Sequence, residues 1–324
     1  MQKAEAMAAA RRWKILISAP RAVAMIDYYR QCLEAAGCEV VVGLAVERLS
    51  EGDLLPLVGD VDGMICGDDQ ITTRVLDAAP RLRVISKWGT GIDSIDVEDA
   101  KRRGIAVCNT PGAFSEPVAD TVLGYILLFA RKLDRMAVDM QGGLWQRLPL
   151  HALGERTLGI IGLGYCGRAV ARRAKAFGMK VISHTVDPVS PGLLEDLQVQ
   201  LVSLETVLEE SDYVTLHPDL RAENRHMIDS KRLRLMKPEA VLINTARGQL
   251  VDEEALVVAL REKRIAGAAL DVFECEPLPA ESPLRRIPNV YLAPHNANGG
   301  LLAAERVHSN SIRNLLQALG ATTG

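Results

Sequence analysis

The stretch from Gly159 to Ser183, GIIGLGYCGRAVARRAKAFGMKVIS, constrains the fold more than any other part of the sequence. An apolar run leads into a cluster of glycines, an amphipathic run follows, and Gly178 precedes a second apolar run. This order predicts a strand, a tight turn, a helix and a second strand, because glycine permits the turn and ends the helix. A unit of this kind requires a parallel sheet covered by helices.

The same alternation of short apolar runs and helical patterns extends through most of the 324 residues. It is interrupted near Pro111–Glu116, where proline and glycine occur without apolar periodicity and a hinge is expected. A long helix from Pro117 to about Lys132 follows the hinge. We therefore predict an α/β protein with two doubly wound parallel-sheet domains separated by a cleft. Residues 1–13 are expected to form a flexible leader, and the segment from Gly300 a final helix.

Composition excludes several classes of function. The formal net charge of -3 leaves no basic surface for nucleic acid. The apolar run TVLGYILLFA is interrupted after Ala130 by Arg131 and Lys132, so it is too short for a membrane span. The six cysteines lack C-x-x-C spacing, which predicts reduced thiols in a cytoplasmic protein, without disulfides or a metal site.

Gly162, Gly164 and Gly167 form a G-x-G-x-x-G turn between the first strand and the helix. The first glycine allows the tight turn, the second allows close approach of a pyrophosphate, and the third allows the helix to pack on the strand. The start of the helix offers free N–H groups to phosphates. We predict dinucleotide binding here.

The type of dinucleotide depends on the end of the next strand, KVISHTVDP. Thr185 stands where an acidic residue usually binds the ribose hydroxyls of NAD, and Asp187 follows two residues later. Because no Arg or Lys lies between Val181 and Ser190, a 2′-phosphate lacks an evident partner. The sequence favours NAD and leaves NADP open.

Three expected strand ends carry groups that suit reduction of a carbonyl. Arg247 follows LINT, Glu276 precedes Pro277, and His295 follows VYLAP. Each residue taken singly is more often structural. Together they supply an anion clamp, an orienting carboxylate and a proton donor, which hydride transfer to a ketone requires. His217, after YVTL, is a rival histidine without an acid nearby in the sequence, and no comparable argument applies to the others: His151, His184, His226 and His308.

The order and spacing of five motifs resemble the D-isomer-specific 2-hydroxyacid dehydrogenases. The motifs are SKWGTGIDSIDVEDAKRRGIAVCNTPG, TLGIIGLGYCGRAVA, LINTARGQLVDEEAL, ALDVFECEP and APH. The resemblance implies that Arg247 binds the substrate carboxylate and carbonyl, that His295 is the acid/base and that Glu276 is its partner. It also implies a Rossmann NAD-binding domain at 114–296 and a discontinuous flavodoxin-like substrate domain at 14–113 and 297–324.

Further roles follow from the resemblance alone. The backbone at Thr90 and Gly91, with Lys87 nearby, is expected to bind substrate. The helix from Pro117 and the segment through GGLWQR resemble the family's dimer-forming region, so a homodimer is implied. The expected contacts with NAD involve a larger set: Thr90, Gly162, Gly164, Tyr165, Cys166, Gly167, Thr185, Asp187, His217, Pro218, Thr245, Ala246, Asp271 and His295.

The segment CGDDQIT, residues 66–72, departs from the pattern of the phosphoglycerate dehydrogenases in this family. Asp68 and Asp69 replace basic or neutral residues, and two carboxylates would repel a substrate phosphate. We therefore expect a small 2-keto acid such as hydroxypyruvate or glyoxylate, with 3-phosphohydroxypyruvate as the close alternative. An NADH-sensing corepressor-like binding protein is the alternative of another class, because such proteins keep the same Arg, Glu and His.

Overall fold

The computed structural model describes residues 13–321. Apart from Trp13, which begins the first strand, the expected leader lies outside the described residues. The described strands are β1 Trp13–Ile17, β2 Cys38–Val42, β3 Gly63–Cys66, β4 Val84–Lys87, β5 Ala106–Cys108, β6 Thr157–Ile161, β7 Lys180–His184, β8 Val199–Leu201, β9 Tyr213–Leu216, β10 Val241–Asn244, β11 Gly267–Leu270 and β12 Val290–Leu292.

Helices connect most of these strands. The described α-helices are α1 Pro20–Val23, α2 Ile26–Ala35, α3 Glu51–Leu54, α4 Thr73–Asp77, α5 Val97–Arg102, α6 Ser115–Arg131, α7 Leu133–Gln141, α8 Tyr165–Ala176, α9 Pro191–Leu197, α10 Leu204–Glu210, α11 Ser230–Leu233, α12 Glu253–Arg261 and α13 Leu301–Leu319. Short 3₁₀ turns lie at Leu153–Glu155, Ala222–Asn224, Gly248–Leu250 and Pro283–Arg286.

The chain divides into two compact units, of which the second is Phe114–Gly300. The first unit combines the residues up to Ala113 with those from Leu301 onward. Its described strands form a parallel sheet in the order β2-β1-β3-β4-β5. The final helix, α13, packs on β3, β4 and β5 of this sheet. Leu315 of α13 lies so close to Gly63 that a methyl group there would stand 2.9 Å from its Cδ1 atom.

The second unit contains a parallel sheet whose described strands follow the order β12-β11-β10-β9-β6-β7-β8. The order reverses between β6 and β9, and ligands of such sheets bind at the carboxyl ends of the strands near this point. Apolar side chains fill both faces of the sheet, with Leu242 and Leu256 in one cluster and Ile160 and Val170 in the other. Each fully buried side chain of this kind contributes about 1.5–3 kcal/mol to folding.

The two parallel-sheet units confirm the predicted fold class. Two details of the prediction were wrong. β8 was not anticipated, because its three residues are too few to show apolar alternation. The long helix begins at Ser115 rather than Pro117, since a proline in the first turn loses no helical hydrogen bond there. None of the helices in residues 13–321 combines the length and the apolar character that crossing a bilayer requires.

Candidate active site

The three glycines of the turn after β6 meet different surroundings. Gly162 has a φ of 92°, and a Cβ atom there would stand 2.7 Å from the backbone nitrogen of Pro218. A Cβ on Gly167 would collide with the carbonyl oxygen of Gly162, so the helix can approach the turn only without a side chain. A Cβ on Gly164 would meet nothing within 4 Å. The turn therefore presents open space beside Gly164, at the start of α8, where a pyrophosphate fits.

Two further side chains around this turn bear on a bound nucleotide. Thr245 follows β10, and its hydroxyl oxygen is buried without a hydrogen-bond partner among residues 13–321. A buried unpaired hydroxyl is costly, which fits a polar group of a ligand as the missing partner. Burial raises the pKa of the Cys166 thiol to about 11, so this cysteine is an uncharged small residue at neutral pH. These surroundings fit a dinucleotide.

The contact with the ribose is predicted at the end of β7. Thr185 directly follows His184, the last residue of that strand, and is partly buried, whereas Asp187 is exposed. The structure thus places Thr185 at the strand end and Asp187 in the loop beyond it.

Arg247 occupies the loop between β10 and α12. Its guanidinium donates to the carbonyl oxygen of Ala246 at 2.9 Å. The side-chain amide of Asn244 donates to the backbone carbonyl oxygen of Arg247 at 2.8 Å. The next residue, Gly248, lies directly against the backbone of Phe273, where a Cβ would overlap the carbonyl group. Sequence reasoning missed Gly248, although a glycine directly after a functional arginine was a usable signal.

Glu276 and His295 meet as the sequence predicts. The Nδ1 atom of His295 lies 2.8 Å from Oε2 of Glu276, and Oε1 of the same carboxylate accepts from the backbone N–H of Phe273 at 2.9 Å. A carboxylate at Nδ1 keeps the proton on that nitrogen, which leaves Nε2 as the atom able to exchange a proton with a substrate. His295 has a φ of 47°, an uncommon conformation for a non-glycine residue.

Asp271, at the end of β11, fixes this conformation. Its backbone carbonyl accepts from the N–H of His295 at 2.8 Å, and its carboxylate accepts from the N–H groups of Asn296 and Ala297 at 2.9 and 2.8 Å. Burial raises the pKa of Asp271 against the opposing effect of these hydrogen bonds. The sequence placed Asp271 beside the nicotinamide, and the structure adds that it holds the turn bearing His295.

Glu253 and Glu274 hold the turn that carries Glu276 through reciprocal hydrogen bonds. Glu253, at the start of α12, accepts from the N–H of Glu274, and its own N–H donates to Glu274 Oε1 at 3.1 Å. Burial, together with the charges of Glu274 and Glu276, raises the pKa of Glu253. Sequence reasoning did not single out either residue, because the reciprocal bonds join segments 21 residues apart.

The rival histidine, His217, is held differently. It follows β9, its Nε2 atom lies 2.9 Å from the Thr215 hydroxyl, and its backbone packs against Gly162. Burial lowers the pKa of His217 to about 4, so the ring is neutral near pH 7. The ring of His217 thus has a neutral hydroxyl as its partner, whereas the ring of His295 has the carboxylate of Glu276. His217 and Pro218 thus form a wall of the glycine turn.

In the first unit, a tight turn from Trp88 to Gly91 follows β4. The carbonyl oxygen of Gly89 accepts from the Thr110 N–H at 2.9 Å, and that of Thr90 accepts from the Asn109 side chain at 2.6 Å. The φ of 139° at Gly89 requires glycine. We call residues 88–91 the carboxylate turn, after the role that the sequence predicts for Thr90 and Gly91.

Asp68 and Asp69 do not form the pair of free carboxylates that the sequence suggests. The Asp69 carboxylate is fully buried and accepts from the Ser18 hydroxyl at 2.6 Å and from the backbone N–H groups of Leu49 and Gly67. It therefore belongs to the interior of the first unit and faces no substrate. Lys87 is also buried, and its ammonium group donates to the Gly67 carbonyl and to Asp68, both at 2.6 Å. Asp68 thus neutralises Lys87.

Within the described part of the chain, no group of three or more His, Cys, Asp or Glu side chains is placed to share a metal ion.

Comparison with known proteins gives a consistent result. The family model described as "D-isomer specific 2-hydroxyacid dehydrogenase, NAD binding domain" matches residues 123–297. A glyoxylate reductase of Korarchaeum cryptofilum is 42% identical over 271 residues, which are 81% of each chain. A hydroxypyruvate reductase of Thermotoga maritima is 37% identical and aligns with 85% of this chain and 90% of its own length.

The fold is also similar to solved structures. The crystal structure of an NADPH-dependent glyoxylate/hydroxypyruvate reductase from Sinorhizobium meliloti, in complex with NADP and malonate, superposes with a TM-score of 0.79 at 32% identity. The superposition covers 96% of this chain and 95% of that one.

Proposed function

The chain belongs to the D-isomer-specific 2-hydroxyacid dehydrogenase family, and from this we propose that it reduces a small, unphosphorylated 2-keto acid such as glyoxylate or hydroxypyruvate with NADH. It is an oxidoreductase of the CH–OH group, and residues 123–297 match the NAD-binding domain of the family. One observation supports this chemistry most directly: Nδ1 of His295 lies 2.8 Å from Glu276, and the turn that carries Glu276 packs against the loop of Arg247.

The second unit offers the groups that hold the coenzyme. The backbone at Gly162, Gly164, Tyr165, Cys166 and Gly167 faces the pyrophosphate. When bound, the nicotinamide coenzyme supplies or accepts the hydride. Residues at the ends of β7, β9, β10 and β11 complete the proposed site: Thr185, Asp187, His217, Pro218, Thr245, Ala246 and Asp271.

The reacting carbonyl requires charge stabilisation and a proton. As the carbonyl carbon is reduced, negative charge grows on its oxygen, and the guanidinium of Arg247 stabilises that charge together with the substrate carboxylate. His295 donates a proton from Nε2 to this oxygen, and Glu276 stabilises the imidazolium through Nδ1. In the reverse direction, neutral His295 removes the proton of the hydroxyl. Exclusion of water strengthens these charge interactions.

In the first unit, the N–H groups of Thr90 and Gly91 bind the substrate carboxylate, and Thr90 also approaches the coenzyme. Lys87 contributes through the Gly67–Asp68 turn that it holds, rather than by direct contact. Because Asp68 neutralises Lys87, this pair offers no free cation to a substrate phosphate. This supports glyoxylate or hydroxypyruvate over 3-phosphohydroxypyruvate.

Steady-state rates on glyoxylate, hydroxypyruvate and 3-phosphohydroxypyruvate, each with NADH and NADPH, test the proposal. We expect the larger kcat/KM on the unphosphorylated acids and with NADH. A much larger kcat/KM on the phosphorylated acid would refute the interpretation of Lys87 and Asp68. Binding of NADH without turnover of any 2-keto acid would favour a coenzyme-sensing binding protein instead.

We also propose that the protein is a cytoplasmic homodimer. The six cysteines are free thiols, which suits a reducing compartment. No residue of α7 is buried, and we propose that a second copy of the chain covers the large apolar side chains that α7 and the following segment expose: Leu133, Val138, Met140, Leu144 and Trp145.

Sedimentation equilibrium tests the assembly. The double substitution Val138→Asp and Met140→Asp is expected to give monomers. Val46→Asp, at an exposed valine of the first unit, serves as the control and is expected to leave the assembly unchanged. A monomeric wild-type protein at micromolar concentration would refute the dimer.

A further inference from the structure

His308, on α13, contacts the side chain of the first residue in the carboxylate turn. The indole Nε1 atom of Trp88 lies 3.1 Å from His308 Nδ1, and the two ring centroids are 5.2 Å apart. An indole N–H can only donate, so Nδ1 must be the acceptor. The proton of the neutral imidazole is therefore on Nε2, and the contact exists only while Nδ1 carries a free lone pair.

The hydroxyl group of Tyr29 lies beside the same nitrogen. The hydroxyl oxygen of Tyr29 lies 2.8 Å from His308 Nδ1 and 3.1 Å from the Ser311 hydroxyl oxygen. Ser311 donates its own proton to the backbone carbonyl of His308 at 3.0 Å. Tyr29 is fully buried, so this network is closed to water on that side. A second proton on the imidazole, at Nδ1, would place two donors, this N–H and the indole N–H of Trp88, against one another.

The charged and titratable groups that face His308 come from two helices. Arg21 of α1 has its guanidinium carbon 5.8 Å from the ring centre of Trp88. Tyr28 and Tyr29 of α2 have their ring centres 6.5 and 5.5 Å from that of His308. Trp88, directly after β4, also faces His308 and does not titrate. Burial and, secondarily, the charge of Arg21 lower the pKa of His308, so its ring is neutral near pH 7.

His308 contacts the carboxylate turn from α13, while Cys66 at the end of β3 and Asn109, which follows β5, bond its backbone. The backbone N–H of Trp88 donates to the Cys66 carbonyl at 2.8 Å, and the next residue is Gly89. Asn314, also on α13, donates to the carbonyl oxygen of Asn109, whose side chain binds Thr90. Two side chains of one helix therefore support the backbone of the turn.

We propose that His308 is a positioning residue for substrate binding: its unprotonated Nδ1 fixes the indole of Trp88 and, through it, the N–H groups of Thr90 and Gly91. The proposal rests on the proposed function, because it takes the carboxylate turn as the substrate-carboxylate site. His308 touches neither substrate nor coenzyme. Its loss acts on affinity for the 2-keto acid and leaves the proton transfer by His295 unaltered.

Matched substitutions separate the acceptor from the ring. His308→Leu removes the acceptor, whereas His308→Asn places an amide oxygen near the position of Nδ1. We expect His308→Leu to raise the KM for glyoxylate about five- to tenfold, the scale of one lost buried hydrogen bond. The kcat and the KM for NADH should change less than twofold. His308→Asn should restore a KM within about twofold of wild type.

Trp88→Phe keeps an aromatic ring without the N–H donor, and it provides a second route if His308→Leu folds poorly. We expect the same rise in KM, and no further rise in the double variant with His308→Leu, because both remove one interaction. The pH profile gives another readout. Protonation of His308 below pH 6.5 should raise the KM of the wild type more steeply than that of His308→Asn.

A measurement without turnover keeps this proposal separate from the proposed function. In protein labelled with ¹⁵N-tryptophan, the indole resonance of Trp88, identified by its loss in Trp88→Phe, should titrate with acid in the wild type and stay fixed in His308→Asn. If the wild type reduces no 2-keto acid, the proposed function fails, and the resonance still decides the His308–Trp88 link. An unchanged KM in His308→Leu, a His308→Asn variant as impaired as His308→Leu, or a fall in kcat at constant KM would overturn the proposal.

Discussion

Gly248 lies against Phe273 so closely that the two backbones touch where any other residue would place a Cβ atom. This contact joins the loop of Arg247 to the turn that begins at Phe273 and carries Glu276. We expect Gly248→Ala to separate the two segments, lowering the free energy of unfolding by about 2 kcal/mol or more and kcat/KM at least tenfold. Thermal unfolding and steady-state kinetics measure both effects.

Gly192→Ala is the matched control, because a Cβ on Gly192 meets nothing within 4 Å and the residue lies in a helix. It should be neutral or slightly stabilising. Wild-type stability and activity in Gly248→Ala would mean that the two segments tolerate separation.

The proton donor can be identified by its effect on kcat. His295→Ala is expected to lower kcat by roughly two to four orders of magnitude, the scale of losing a general acid, with little change in NADH affinity. Glu276→Gln should lower kcat less, since an amide still bonds Nδ1 but does not stabilise an imidazolium. Coenzyme fluorescence titration controls for binding. Near-normal turnover in His295→Ala would transfer the role to His217.

Asp271 tests whether the turn bearing His295 must be held. Asp271→Asn keeps one side-chain oxygen, which accepts from only one of the two backbone N–H groups. Its amide NH2 group then faces the second N–H group, which costs about 1–3 kcal/mol of stability. We expect kcat to fall about tenfold or more. Asp252→Asn is the control, because Asn caps the start of α12 as well as Asp. Equal kinetics in the two variants would show that Asp271 acts elsewhere.

His217 predicts a dependence of stability on pH. Its pKa is about 4 in the folded protein, against 6.5 for the free side chain. Below pH 6.5 the unfolded chain binds a proton that the folded chain does not, so stability is full above pH 6.5 and declines as pH falls toward 4. Because the ring is partly exposed, we expect a contribution on the order of 1–3 kcal/mol.

Urea unfolding of wild type and His217→Asn at several pH values between 4 and 7 measures this contribution. The variant should lose less stability on acidification than the wild type. Thr215→Val, which keeps the histidine but removes its hydroxyl partner, should retain the acid-dependent loss. Identical pH dependence in wild type and His217→Asn would contradict the assignment.

The groups at the strand ends of the second unit were accessible from the sequence because parallel strands bring their carboxyl ends to one edge. That rule relates Glu276 to His295 across 19 residues without any knowledge of side-chain contacts. The glycine turn was equally accessible, since each glycine answers a local steric demand. Family resemblance supplied the roles that the spacing alone could not.

Other features escaped prediction because they depend on distant partners. Asp69 was assigned to the substrate side, yet its orientation is set by Ser18, 51 residues away. His308 carried no argument in the sequence, since its partners Trp88 and Tyr29 come from two other segments. The contact of Gly248 with Phe273 is likewise a meeting of backbones, which leaves little trace in a pattern of apolar residues.

The position of α13 has a consequence for synthesis on the ribosome. Residues 114–300 emerge as a complete unit, while the sheet of residues 13–113 still lacks the helix that covers β3, β4 and β5. Residues 13–113 are thus made before residues 114–300 but completed after them, and their apolar face stays uncovered until α13 leaves the exit tunnel. A nascent chain stalled before Leu301 would be the form most prone to capture by chaperones.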